Sequence, residues 1–205
     1  QLLISRYQEQ KSLLVLSELK LARAQVNPHF LFNALNTIIA ILRRDADRSR
    51  ELLIHLSNFF RKNLKRSSDV STLAEELEHV GAYLEIEKAR FEGRLVVETD
   101  VDPALVHLDM PSFALQPLVE NAVRHGIDPS EQGGRIEVRV TVKEDRCHAE
   151  VVDTGVGLGE TGGGGTGLAN LQERLRLAFG PEARLELQAL EPHGVRAELV
   201  FPARR

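Results

Sequence analysis

The spacing of apolar residues changes once, near residue 93, and that change limits the possible folds more than any other feature of the chain. Before it, apolar residues recur at three- and four-residue steps. Leu52, Leu53, Leu56, Phe59, Phe60 and Leu64 form one stripe, and Leu13, Leu14, Leu16, Leu19 and Leu21 crowd another. After it, strand patterns take over: Leu95-Val96-Val97, then Ile136, Val138, Val140 and Val142 in alternation, then Ala149 to Val152. Leu185 and Leu187, then Val195, Ala197 and Leu199, repeat that period across the turn signal Pro192-His193-Gly194. Two helices, about Ser112 to His125 and about Leu168 to Phe179, are interleaved with the strands. Helices on one side of a mostly antiparallel sheet make this an α+β chain.

The helical part predicts two long amphipathic helices, reversing in the polar run Arg43-Arg44-Asp45-Ala46-Asp47-Arg48. The apolar face of such a hairpin is too wide for it to cover alone. Pairing with a second copy into a four-helix bundle is expected, and packing on the rest of the same chain is the alternative. Thr72 with Glu75 three residues on has capping-box spacing and opens a third helix through Leu77, Val80, Leu84 and Phe91, ending near Gly93. The expected division is therefore a helical region, residues 1–93, and an α/β-sandwich domain, residues 94–205.

Composition narrows the function. With 42% hydrophobic and 27% charged residues the chain reads as globular, and its net charge of −4 gives no overall attraction to nucleic acid or to an anionic membrane. Direct nucleic-acid binding is not expected. The single cysteine, Cys147, excludes an intramolecular disulfide and a cysteine-cluster metal site. No apolar run approaches the roughly 18 residues that span a bilayer. The only methionine is Met110 and the chain opens directly in a leucine-rich pattern, so we expect a segment of a longer protein that meets a membrane only through an upstream region.

Three segments carry candidate chemistry. In the helix after Pro111, Glu120, Asn121, Arg124 and His125 share one edge, while Leu118, Val119, Ala122 and Val123 supply apolar contacts. An Asn carbonyl suits Mg²⁺, and Arg or His can reach phosphates; a solvated helix edge is the plain alternative. Asp153-Thr154-Gly155-Val156-Gly157-Leu158 places a carboxylate at a strand end, able to accept from an amine such as adenine N6, with glycines that let backbone approach a flat ring. The alternative there is a simple turn. Gly162-Gly163-Gly164-Gly165-Thr166-Gly167 feeds Leu168-Ala169-Asn170-Leu171, which reads as an anion site at a helix start with a mobile lid, or else as a linker. A P-loop is excluded, since Leu168 stands where its Lys is needed, and a dinucleotide fingerprint fails at Glu160.

In this order the segments resemble the Bergerat ATP-binding fold of histidine kinases, type II topoisomerases, Hsp90 and MutL. Leu115 to Gly126 resembles the N box, Asp153 to Gly157 the first glycine box, and Gly165 to Leu171 the second. The resemblance implies ATP and Mg²⁺ as cofactors. The implied binding residues are Asn121, Arg124, His125, Asp153, Gly155, Gly157, Gly165, Gly167 and Leu168, with Asn121 on the metal. Pro117 stands where the first Asn of the N box is more common, which leaves Asn121 as the principal ligand.

Upstream, Asn27-Pro28-His29-Phe30-Leu31-Phe32-Asn33 sets a histidine beside a proline in a helical pattern. Imidazole can accept and pass on a phosphoryl group, although a lone His among aromatics is more often a packed or capping residue. This run is similar to the signature of the LytS-like sensor kinases, and the similarity continues through Phe59 to Leu64, Tyr83 to Phe91 and the N box, with the BtsS-like branch nearest. It implies a homodimeric kinase in which His29 is autophosphorylated from ATP. The group then passes to an aspartate of a response regulator, typically of LytTR type. It further implies the cytoplasmic portion of a sensor anchored in the bacterial inner membrane. Phe30 replaces the acidic residue that often follows the acceptor, so the base or orienting group is open, with Asn27 and an acidic group of the ATP domain as candidates. Asn33, one helical turn beyond His29, is a candidate for orienting a water in dephosphorylation of the partner. Two rival readings are a Bergerat ATPase without phosphotransfer and a degenerate, dimerising module that docks a regulator.

Overall fold

Asn27 starts the first described helix: its Oδ1 accepts from the backbone N–H of His29 at 3.1 Å and Phe30 at 3.3 Å, and Pro28 occupies the first helical position. In the computed structural model the described residues are 27–64, 68–157 and 166–204, and the chain divides into two compact units, residues 1–66 and 67–205. The leucine cluster Leu13 to Leu21 lies outside the described residues.

In the first unit, α1 (Pro28–Leu42) and α2 (Ala46–Leu64) form a hairpin. The reversal is shorter than expected because Asp45 ends it, accepting from the Arg48 N–H at 2.8 Å at the start of α2. Ser49, fully buried, donates to the carbonyls of Asp45 and Ile38 and so ties the two helices. Phe30, Ala34, Ile38 and Ile41 are buried with Leu52, Leu56 and Phe59, and the Phe30 and Phe59 rings meet edge-on at 5.2 Å. A second apolar face stays open. Phe32 is 66% and Ile39 65% exposed, and Leu42, Leu53 and Ile54 are exposed beside them on the same two helices.

The second unit begins with β1 (Val70–Thr72) and α3 (Leu73–Arg90), continues through β2 (Leu95–Val101) and β3 (Asp109–Pro111), and reaches α4 (Leu115–Asn121). A π-helical segment, Ala122–Ile127, extends α4. Then follow β4 (Gly134–Lys143), β5 (Arg146–Asp153), α5 (Thr166–Phe179), β6 (Arg184–Ala189) and β7 (Val195–Pro202). Five strands form one sheet in the order β2-β4-β5-β7-β6, parallel only between β2 and β4. β1 and β3 pair as a separate antiparallel ribbon. Along β5, Cys147, Ala149, Val151 and Asp153 face inward, and the alternate residues are mostly polar, such as His148, whose Nδ1 lies 2.7 Å from Glu198. The sheet is thus buried on one face and solvated on the other, as expected for α+β.

The third helix packs with the strands that follow it. The change of period at residue 93 marks a change of element, whereas the compact units meet between residues 66 and 67. The reason is packing, because α3 belongs to the sheet unit and braces α4. Buried Glu76 accepts from Ser71 Oγ and the Phe113 N–H through one oxygen, and from the Ala114 and Leu115 N–H groups through the other, at 2.7 to 3.2 Å. Those are the orphan donors at the start of α4, which has no side-chain cap of its own. Burial pushes the Glu76 carboxyl above its ordinary value, with the four donors pulling the other way. At the far end Arg90 bonds Glu87 and Asp128, the residue that follows the π segment.

Glu76→Ala would leave four donors without their acceptor, two of them the buried amides of Ala114 and Leu115, a cost of about 3 kcal/mol or more. The expected result is a lower urea midpoint. Buried Cys147, whose thiol burial pushes up to about 12, provides an independent readout, since it should react with a thiol reagent only through opening of the unit and faster in this variant.

Candidate active site

The end of β5 is closely packed. Asp153 is buried there, its Oδ1 accepting from the Gly155 N–H at 2.9 Å. Burial raises its carboxyl, opposed by the amides of Gly155 and Val195. Gly126, in the π-helical turn, passes directly beneath it: a Cβ there would stand 2.5 Å from Asp153 Oδ1, and one on Gly155 would stand 2.2 Å from the Gly126 carbonyl. The Gly126 carbonyl accepts from the Val156 N–H at 3.1 Å. Gly194 crosses on the other side, with φ +113 and no room for a Cβ against the Asp153 carbonyl, while His193 Nδ1–H donates to the Gly155 carbonyl at 2.9 Å. Three backbone segments therefore crowd Asp153, with Gly126 and Gly155 at its carboxylate and Gly194 at its carbonyl, and leave no room there for a Cβ.

The π segment follows from this approach. A wider turn, closed by the Asp128 N–H on the Val123 carbonyl at 2.8 Å, brings Gly126 under Asp153; such turns recur at functional sites. Asn121, half-buried, ends the α-helical part, and Arg124 and His125 are exposed beyond it. Glu120 is half-buried. Its Oε1 accepts from Gln116 Nε2 at 2.6 Å, and Gln116 Oε1 lies 2.9 Å from Nε2 of buried His79 on α3. Burial raises the Glu120 carboxyl, offset by Gln116 and Arg124.

At α5, Leu168 buries its side chain, so it offers the start of that helix an amide and not a side chain, while Gly167 borders open space. Gly157 adopts φ +88, a left-handed conformation that suits glycine. Gly165, with the rest of the glycine run, lies outside the described residues. Among the described residues no group of three or more His, Cys, Asp or Glu is placed to hold a metal. A cation at Asn121 would draw its remaining ligands from phosphate and water, a donor set that suits Mg²⁺. The glycine cradle around Asp153 likewise suits a planar base.

In the first unit His29 is exposed on the opening turn of α1. The amide nitrogen of Asn33 lies 3.4 Å from its Nδ1 and 3.3 Å from its Nε2. Asn27, a candidate base, is occupied as the helix cap. Among these residues, the roles of Gly126, Gly194, Gln116 and His79 had not been read from the sequence; Gly126 and Gln116 lie inside the N-box match, but only their distant partners give them a purpose.

The chain matches two family profiles, histidine kinase over residues 17–95 and histidine kinase-, DNA gyrase B- and HSP90-like ATPase over residues 111–205. It is 46% identical over 193 residues to sensor histidine kinase BtsS of Escherichia coli (strain K12), covering 94% of this chain and 34% of that protein. It is 38% identical over 216 residues to sensor protein LytS of Bacillus subtilis (strain 168), covering 98% and 36%. The chain thus spans about a third of the length of these relatives. Among solved structures it is similar to the Erythrobacter litoralis EL346 blue-light activated histidine kinase, at TM-score 0.51 and 15% identity, over 88% of this chain and 59% of that one. It is also similar to Acinetobacter baumannii histidine kinase AdeS, at TM-score 0.50 and 16% identity, over 85% of each. At these identities the two structures speak to the fold.

Gly126→Ala forces a methyl group into the Asp153 carboxylate. We expect loss of adenine-nucleotide binding, measured by calorimetry, with the helical content kept; unchanged affinity would mean that Asp153 does not form the base site.

Proposed function

The chain belongs to the LytS/BtsS-like sensor histidine kinase family, and on that premise we propose that it is a kinase core that phosphorylates His29 from ATP and passes the group to an aspartate of a response regulator. One observation carries the choice of His29. It is exposed at the opening of α1 while Asn27 does the capping, so neither structural role available to a histidine in this pattern, packing or capping, is the one it fills.

Each residue then has a task. Asp153 accepts from the adenine amine, within the backbone cradle of Gly126, Gly155 and Gly157. Arg124, His125 and the amides at Gly167 and Leu168 hold the phosphates, with Gly165 part of the lid. Asn121 ligates Mg²⁺, which when bound neutralises phosphate charge. A neutral nitrogen of His29 forms the bond to phosphorus, ADP departs, and the ring proton leaves to a base. Asn27 is not that base, because its acceptor oxygen is already used twice. Asn33 lies beside the ring from one turn along α1, which supports a role in orienting a water that hydrolyses the phosphoryl group of the partner regulator.

The open face at Phe32, Ile39, Leu42, Leu53 and Ile54 supports pairing of two hairpins into a four-helix bundle, hence a homodimer. The hairpin is then the dimerisation and phosphotransfer part, and residues 67–205 the ATP-binding part. By family likeness the regulator is of LytTR type, and the chain is the cytoplasmic portion of a sensor in the bacterial inner membrane. Among the described residues no helix is long and apolar enough to cross a membrane.

Incubation with γ-labelled ATP should give an acid-labile, alkali-stable label that His29→Gln abolishes. Hydrolysis of ATP without such a label would support the plain ATPase reading. Dimerisation without ATP-Mg binding would support the docking module. Asn33→Ala should retain the label yet slow dephosphorylation of the phosphorylated regulator, and an unchanged rate would remove Asn33 from that role.

A further inference from the structure

Glu120 is the one residue of the polar edge of α4 whose position this reading does not explain. A carboxylate on a solvated helix edge needs no brace, yet this one is half-buried and is the last member of a chain that starts inside the unit. His79, buried on α3, donates from Nε2 to Gln116 Oε1, which fixes the flip of the amide; Gln116 Nε2 therefore faces outward and donates to Glu120 Oε1 at 2.6 Å. The edge-on contact of the His79 ring with Phe113, 5.0 Å between centroids, holds the origin of the chain in place. Every donor points the same way, toward an accepting carboxylate. One oxygen, Oε2, has no hydrogen bond among the described residues, and it lies on the residue next to Asn121.

We propose that Glu120 is a positioning carboxylate of the cation site: its Oε2 accepts from a water of the hydrated Mg²⁺ that Asn121 ligates, with Gln116 and His79 fixing its direction. The inference rests on the Mg²⁺-ATP reading above and deepens it. Its physical basis is the coordination demand of the ion. Mg²⁺ keeps several waters, and a site that offers a single amide oxygen gains selectivity and affinity by orienting those waters from outside the first shell. A carboxylate does this better than a neutral acceptor, because the bond it accepts is charge-assisted. The partly buried charge in turn requires the partners that Gln116 and the water supply.

The test is Mg²⁺ titration of the full chain at saturating, non-hydrolysable ATP analogue, beside binding of the same analogue in EDTA. For Glu120→Gln we expect the half-saturating Mg²⁺ concentration to rise about tenfold or more, with metal-free analogue affinity unchanged. Gln116→Met keeps the volume but breaks the chain, and should shift Mg²⁺ dependence in the same direction by less. Wild-type-like Mg²⁺ dependence in Glu120→Gln overturns this inference alone. An equal loss of metal-free affinity in that variant also overturns it, since the residue would then serve the whole site. Absence of any Mg²⁺-dependent analogue binding in the unsubstituted chain overturns it together with the ATP reading.

Discussion

Glu76 places a negative charge where α4 has unsatisfied N–H groups and no cap of its own, and the geometry of the candidate nucleotide site follows from that contact. α4 is α-helical for only seven residues before its π extension, too short to hold itself in water. What fixes it is α3. Glu76 binds its start, His79 reaches Gln116 midway, and Arg90 bonds Asp128 beyond its end. Burying a carboxylate is costly, and the raised Glu76 carboxyl records that cost; four donors on two oxygens offset it. The same contact holds Phe113 at φ 55, a conformation that a bulky residue rarely adopts without external restraint.

With α4 fixed along one side, the end of β5 can be built with almost no spare volume. Gly126 approaches the Asp153 carboxylate and Gly194 its backbone carbonyl, and neither position tolerates a Cβ. The result is a carboxylate whose surroundings are mainly backbone, so its direction is set by strand register and by two turns and not by side-chain rotamers. That is a rigid way to present one acceptor. The two described glycines differ accordingly: no described atom lies within 4 Å of where a Gly167 Cβ would stand, whereas Gly126 has no room for one.

The sequence was legible where structure is local. Thr72 and Glu75 form the capping box their spacing implies, both bonds present, and the alternating runs of β4, β5 and β7 bury the expected faces. The run around His29 is helical as its pattern implies, although the cap formed by Asn27 and Pro28 had not been read from it. Long-range structure was not legible. Glu76 and the amides it caps are 37 to 39 residues apart, and nothing in the local pattern of α3 marks Glu76 as a buried acceptor. Which unit α3 packs on was hidden for the same reason, because its period is helical in either case. β1 and β3, three residues each, are too short to show a period at all. Gly126 reads as an ordinary N-box glycine until Asp153, 27 positions on, is seen above it.

His29 shows how a weak local signal becomes a strong one. By composition its neighbourhood is apolar, which favours a packed ring. The helix geometry decides otherwise, because with Asn27 as the cap and Pro28 first, Phe30 turns inward and His29 outward. The position has an electrostatic consequence for the proposed chemistry. A phosphoryl group on His29 would sit at the positive end of α1, where an anion gains about 0.3–1 kcal/mol at an exposed site. That is too little to offset a high-energy N–P bond and enough to bias which nitrogen carries it. An amide from Asn33 close to both ring nitrogens adds a donor to whichever is free, so α1 itself helps to hold the ring still between phosphorylation and transfer.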